Sequence, residues 1–341
     1  MVKNNNKRVK SNNNINLSRI LGISLFGLAL ISLFIMLICG LNPSVWLDEI
    51  FTLNIVTYSF KDMLIATAQD VHPPLYYIIV KMIFSLFSVF SNPLNISDSF
   101  NVYIAKLISV LPLICLIYFS FTKLKKEFGW LACGIFTFCI VTMPKMMLYS
   151  VEVRMYSWAI LFLTLSLYYA YMITKNPNNN KNWIIFACFS LMAAYTHYYA
   201  MIGAMMIYFL LIAYMIMKRS SGYVKKSILS IIFSILFYLP WIYMFISYSS
   251  YINGNGWWIK PDFQSVIQIV FVLFSPTNIV DNDGFSDLGG LLFFFFLLLS
   301  LFYVFLLYDK KDERKTAFLG GGGYLCFNII DNICSNNFIH S

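Results

Sequence analysis

The chain has 341 residues, of which 60% are hydrophobic and only 11% charged, with a formal net charge of +9. A soluble domain carries about 25% charged residues, so a wholly water-solvated protein is excluded. The seven cysteines form no CxxC pair and lie mostly in apolar runs, which favours small buried apolar side chains over a disulfide framework or a zinc site.

In chain order, residues 1–19 form an Asn-rich tail with Lys3, Lys7, Arg8, Lys10 and Arg19. Its composition reads as a disordered basic arm. Residues 20–41 carry no charge, and about 20 such residues cross a hydrocarbon core of roughly 30 Å. The run is too long for a removable signal peptide and has no small-residue cleavage site. It is the first expected span. An outer loop follows over 42–100. It holds VWLDEIF at 45–51, with two adjacent carboxylates at the mouth of the membrane, and then DVHPPLYY at 70–77. Within it, Lys81, Ser85, Ser88 and Asn92 recur at spacings of four, three and four on an otherwise apolar run. That pattern predicts a helix over 73–90 lying in the membrane interface rather than crossing.

Further spans are expected at 101–121, 130–148, 156–173, 183–196, 199–217, 227–248 and 288–308, about eight in all. The segment 263–275 is too short to cross comfortably. The Asn-rich loop at 176–182 reads as linker. Residues 316–341, with four consecutive glycines and no following Gly-Lys-Ser/Thr, read as an atypical, truncated or altered C-terminus rather than a phosphate loop. With these spans the basic clusters at 122–129, 174–181, 218–226 and 309–315 join the tail on one side. Of 24 Lys and Arg, 18 fall there, while ten of 15 acids fall on the other side. Basic loops stay cytoplasmic. The basic excess is therefore a topology signal and not a nucleic-acid footprint. The chain reads as an all-α, multi-pass cell-membrane protein with a cytoplasmic N-terminus and the lipid bilayer as its first partner.

The outer side then collects Trp46, Asp48, Glu49, Asp70, His72, Lys81, Glu152, Arg154, Tyr156, His197 and Tyr198. Ionisable groups at membrane depth usually face a cavity or one another, which points to one outward cleft. Each residue has a blander alternative. Asp48 and Glu49 could be a solvated pair, and as neighbours they point in different directions, so at most one does chemistry. His72 could simply pack above the Pro-Pro kink, and Lys81 could snorkel to lipid headgroups. Glu152 and Arg154 could form a structural ion pair, and His197 could be a satisfied helix-end histidine.

The order W-x-D-E (Trp46, Asp48, Glu49), D-x-H-P-P-L-Y-Y (Asp70 to Tyr77), E-x-R-x-Y (Glu152, Arg154, Tyr156) and T-H-Y (Thr196 to Tyr198) resembles the polytopic GT-C glycosyltransferases of family 39. It is similar to bacterial relatives of the protein O-mannosyltransferases and aminoarabinose transferases over roughly residues 18–250. The resemblance implies a GT-C fold with juxtamembrane helices in the first outer loop. It implies a sugar donor carried on a polyprenyl phosphate, used outside the cell on an acceptor glycan, lipid or protein. It assigns Asp48 to the catalytic position and places Arg154 towards the donor.

Sugar transfer needs a base for the acceptor hydroxyl and a cation for the departing phosphate. Asp48 is the expected base. Arg154, and less suitably Lys81, would meet the phosphate. Glu49, Asp70, His72, Glu152, Tyr156 and His197 would support them. Asp70, His72 and His197 could orient the phosphate or bind a divalent cation, although no spacing demands a metal. A transporter or flippase of lipid-linked saccharide is the rival reading. It would be marked by paired halves with broken spans, and no internal repeat is visible.

Overall fold

A computed structural model of the chain describes residues 2–70, 72–87, 99–217 and 221–248. Apart from short connections they are helical: α1 (Val2–Gly40), α2 (Leu47–Ile55), α3 (Phe60–Ala68), α4 (Leu75–Phe87), α5 (Ser99–Phe119), a π turn (Ser120–Leu124), α6 (Lys125–Thr142), α7 (Pro144–Tyr149), α8 (Tyr156–Lys175), α9 (Asn180–Thr196), α10 (Tyr198–Met217) and α11 (Ser221–Tyr248). Among the described residues, five helical segments are long and apolar enough to cross a membrane: Leu17–Gly40, Ser99–Thr142, Tyr156–Lys175, Tyr198–Met217 and Gly222–Tyr248. An all-α, multi-pass membrane protein follows. The expected span 288–308, the segment 263–275, the C-terminal stretch 316–341 and the stripe positions Ser88 and Asn92 lie outside the described residues.

Several expectations need correction. The Asn-rich tail is not a separate arm, because α1 begins at Val2. Once the apolar span has nucleated a helix, each added Asn costs well under ~1 kcal/mol. The expected spans 101–121 and 130–148 fall on the two limbs of the run Ser99–Thr142, on either side of a non-helical Gly129, although the second limb is shorter than expected. The run doubles back: Thr137 Oγ1 donates to Ser120 Oγ at 2.9 Å, and Ser120 Oγ donates to the Cys133 carbonyl at 3.1 Å. Seventeen residues of straight helix would separate those hydroxyls by about 25 Å. Gly129 makes the turn, at φ +83° and ψ −178°, a region open in practice only to glycine. The second limb also stops at Thr142 rather than 148. Pro144 pushes Met143 to φ −61°, ψ 126°, and a new short helix starts at the proline. The expected span 183–196 is α9, whose 17 residues leave it outside the five.

The loop 176–182 is not a linker either. Asn179 caps α9 by accepting from the Lys181 N–H at 3.1 Å. The Pro177 carbonyl accepts from Trp183 Nε1 at 3.0 Å, and Asn180 Oδ1 and Asn178 Oδ1 accept from Lys226 and Tyr223 at 2.9 and 3.0 Å. Asparagine's preference for caps and turns puts these residues here.

The helices divide into two compact units. One comprises residues 1–42 and 113–151 among those described. In it α1 and α6 cross backbone to backbone at Gly22 and Gly134: a Cβ on Gly22 would land on the Trp130 carbonyl, and one on Gly134 on the Gly22 carbonyl. The other unit comprises 43–112 and 152–248 among the described residues and holds every expected site residue. Its first core joins α2, α3, α4 and the first half of α5 to the stretch before α8, through Leu53, Met63, Tyr76, Tyr77, Ile108 and Met155. Its second core joins α8, α9 and α10 around Phe186, Tyr208 and Leu211. Hydroxyl pairs tie the long helices: Ser166 to Ser190 at 2.7 Å, and Tyr208 to Ser230 and Ser234 at 2.8 and 3.1 Å. Between α9, α10 and α11 lies an apolar cavity of about 370 Å³.

At 13 residues α4 is about 20 Å long, too short to span. Its buried side is Tyr76, Tyr77, Val80 and Phe84, while Met82 and Leu86 are exposed. It packs against α9.

Candidate functional site

The site grows from four chain breaks in the second unit. The first is the start of α2. Trp46 precedes the helix in extended conformation, which places Asp48 and Glu49 in its first turn, where a helix end favours negative charge. The two carboxylates then part company. Glu49 is buried. Its Oε2 accepts from the Trp46 N–H at 3.1 Å and its Oε1 from the Val153 N–H at 2.8 Å. Asp48 has a side chain 39% exposed. One is a strut and the other is presented to solvent.

The second break precedes α4. Pro73 and Pro74 set up the helix start, and His72 is held just before them, 9% exposed. His72 Nδ1 lies 3.2 Å from Asp70 Oδ2, and the Tyr77 hydroxyl donates to the same oxygen at 3.4 Å. Burial pushes the Tyr77 phenol well up, so it remains a donor.

The third break is residues 152–155, between α7 and α8. Val153 and Met155 are anchored in the first core. Arg154, between them, is 3% exposed. Its Nη2 lies 3.5 Å from Asp48 Oδ2 and 3.4 and 3.5 Å from the two ring nitrogens of His72, and its Nη1 donates to the Asp48 carbonyl at 3.4 Å. Its Nε is buried without a hydrogen-bond partner. Charge-assisted hydrogen bonds normally run about 2.7–2.9 Å, so this guanidinium is loosely satisfied. Its ion pair is with Asp48 and not, as one sequence alternative had it, with Glu152. Glu152 stands beside the cluster with a buried, unpartnered Oε2. Burial and then repulsion from Glu49 raise its carboxyl from an ordinary 4.5 to about 7.

The fourth break is His197, between α9 and α10, at φ −157°, ψ 137°. Its ring packs 5.2 Å from His72 and 5.8 Å from Tyr156, and its Nδ1 accepts from the Tyr199 N–H at 3.1 Å. Burial, followed by His72 and Arg154, lowers its pKa to about 4. The imidazole is therefore neutral at physiological pH, with its proton on Nε2.

The structure thus brings together Asp48, Glu49, Asp70, His72, Arg154, Tyr156 and His197 from four separate stretches. Lys81 does other work. Its Nζ donates to the carbonyls of Val56 and Tyr58 at 2.9 and 2.5 Å, closing the exit of α2. Two of its three donors are spent there. Among the described residues no three His, Cys, Asp or Glu side chains, Asp70, His72 and His197 included, form a group able to hold a metal ion. The imidazole of His72 already has a carboxylate on one side and a guanidinium on the other.

One residue escapes a reading of the sequence. Lys106 in α5 is 5% exposed, donates to the Ser44 carbonyl at 2.9 Å and lies close enough to lower the Glu152 pKa. A lone lysine inside an apolar run is the available signal.

The fold and site define an all-α membrane protein with a buried guanidinium bordered by a half-exposed carboxylate. Compared with protein-family models, curated proteins and solved structures, the chain has no significant match.

Proposed function

We propose that the protein is a GT-C type glycosyltransferase that moves a sugar from a polyprenyl-phosphate donor to an acceptor hydroxyl on the extracytoplasmic side. The observation that carries this reading is Arg154: a guanidinium 3% exposed, loosely paired, next to an Asp48 side chain 39% exposed. A monophosphate leaving group needs such a planar, permanently charged fork. An acceptor hydroxyl needs a carboxylate that solvent-borne groups can reach. The likeness of W-x-D-E, D-x-H-P-P-L-Y-Y and E-x-R-x-Y to family 39 supports the same assignment.

In the step proposed, Asp48 takes the proton from the acceptor hydroxyl as its oxygen forms a bond to the sugar's anomeric carbon. The bond from that carbon to the phosphate oxygen breaks, and the phosphate leaves with the electron pair against Arg154. His72 faces the guanidinium from the other side and is itself held by Asp70, whose Oδ2 also accepts from the Tyr77 hydroxyl. Glu49 fixes Asp48 relative to Arg154 through the Val153 N–H.

The test is turnover of a polyprenyl-phosphate sugar by the full chain in membranes. Asp48→Asn lowers kcat by about 10²-fold or more, and Arg154→Lys raises donor KM and lowers kcat together. Near wild-type turnover by Asp48→Asn would remove the base assignment. Movement of intact lipid-linked sugar across sealed vesicles without transfer would replace the enzyme by a transporter.

A further inference from the structure

We infer that the phosphate and Asp48 compete for one guanidinium, so that donor binding itself releases the carboxylate that then acts as base. This rests on the phosphate reading of Arg154 and adds the order of events.

The geometry carries the inference. All four polar contacts of the Arg154 terminal nitrogens are 3.4–3.5 Å, and Nε has no partner. A buried cation left this loosely paired retains unused capacity for an anion. Of its neighbours, His72 is itself held by Asp70, and the Asp48 carbonyl is fixed in α2, accepting from Thr52 Oγ1 at 3.0 Å. Glu49 is locked by two backbone N–H groups. Of these groups only the Asp48 carboxylate is both charged against Arg154 and substantially exposed, so it is the group that can leave. The donor's phosphodiester carries one negative charge, as Asp48 does, but its two free oxygens accept parallel N–H bonds from the fork, and the monoester left after transfer carries more charge. When the phosphodiester takes that place, the Asp48 carboxylate loses its partner and is free to accept from the acceptor hydroxyl. Binding is therefore ordered, with the donor first.

The chemistry recognised is a monophosphate, carried on a lipid or free. The experiment measures binding of farnesyl monophosphate and of inorganic phosphate, without sugar, to the purified full chain in lipid nanodiscs. Removing the competitor by Asp48→Asn is expected to tighten farnesyl phosphate about fivefold, the scale of a partly exposed ion pair, although the same variant has lost turnover. Arg154→Gln is expected to abolish binding, and Arg154→Lys to weaken it while keeping the buried charge. Unchanged or weaker binding by Asp48→Asn overturns the exchange, even if Arg154 proves to be the phosphate site. Binding by Arg154→Gln equal to wild type overturns the phosphate reading itself. Inorganic phosphate binding as tightly as farnesyl phosphate would assign a free-phosphate site and overturn the lipid donor, with the Asp48→Asn arm still deciding the exchange. That arm is independent of the arginine variants, since Asp48 lies at the surface and its substitution is nearly isosteric.

Discussion

Replacing Glu49 by alanine removes the carboxylate that pins the Asp48-bearing turn to the Arg154-bearing stretch. In the intact protein that carboxylate accepts from two backbone N–H groups, Trp46 at 3.1 Å and Val153 at 2.8 Å, the latter wholly buried. Alanine strands both donors. A buried donor left without a partner costs about 1–3 kcal/mol, so the substitution is expected to destabilise the second unit by roughly 2–5 kcal/mol. Glutamine keeps one acceptor oxygen but turns an NH₂ towards the other N–H, so about half of that loss is expected. The assay is thermal unfolding of the purified chain in detergent, followed by amide hydrogen exchange at Val153 and Trp46. Exchange at Val153 should accelerate in both variants and more in alanine. A Glu49→Ala protein that melts with the wild type and protects Val153 equally would refute the strut. It would also leave no account of why two carboxylates stand side by side at the head of α2.

Other expectations follow from the same geometry. The Glu152 carboxyl binds its proton more tightly when folded, from an ordinary 4.5 to about 7, so the folded form holds more protons in that window. Its contribution makes stability fall as pH rises from about 4.5 to 7, with the penalty complete above. Glu152→Gln should flatten that slope and melt higher than wild type at about pH 8, read by unfolding across a pH series. Gly134→Ala puts a methyl on the Gly22 carbonyl, and because two backbones must part it should cost at least the ~1–3 kcal/mol of ordinary overpacking, seen as a lower melting temperature. Lys81→Met should cost about 1 kcal/mol through the Val56 and Tyr58 carbonyls it leaves. It should also leave donor KM unchanged, and a large rise in KM would return Lys81 to the site.

Much of this arrangement is legible in the sequence, for identifiable reasons. Hydropathy places α1, α8, α10 and α11 because lipid imposes length and apolarity on each span independently of its neighbours. Asp48, Arg154, His72 and His197 stand out because charged or polar groups near apolar runs need partners, and the chain offers few. What pairs with what is not legible. Proximity along the chain matches Arg154 to Glu152, two residues away, while the structure gives it Asp48, 106 residues back. Lys81 reads as a headgroup or phosphate ligand because the periodicity of one helix says nothing of the carbonyls ending another. Pro144 is in plain view at the end of an apolar run, and its effect on Met143 follows from sterics alone. The reversal at Gly129 cannot be told from a loop, since a glycine before an aromatic residue suits many turns.

The hydroxyl pairs that link the long helices bear on how such a chain enters a bilayer. Tyr208 is synthesised before Ser230 and Ser234, so its phenol reaches hydrocarbon ahead of the serines it will meet in α11. Until they arrive it must borrow a partner from its own turn or from water, since a naked hydroxyl in lipid is costly. Sliding α11 by one residue would take both serines off the phenol at once. The pair therefore serves as a register key for insertion, telling the last described helix how far to travel before it stops.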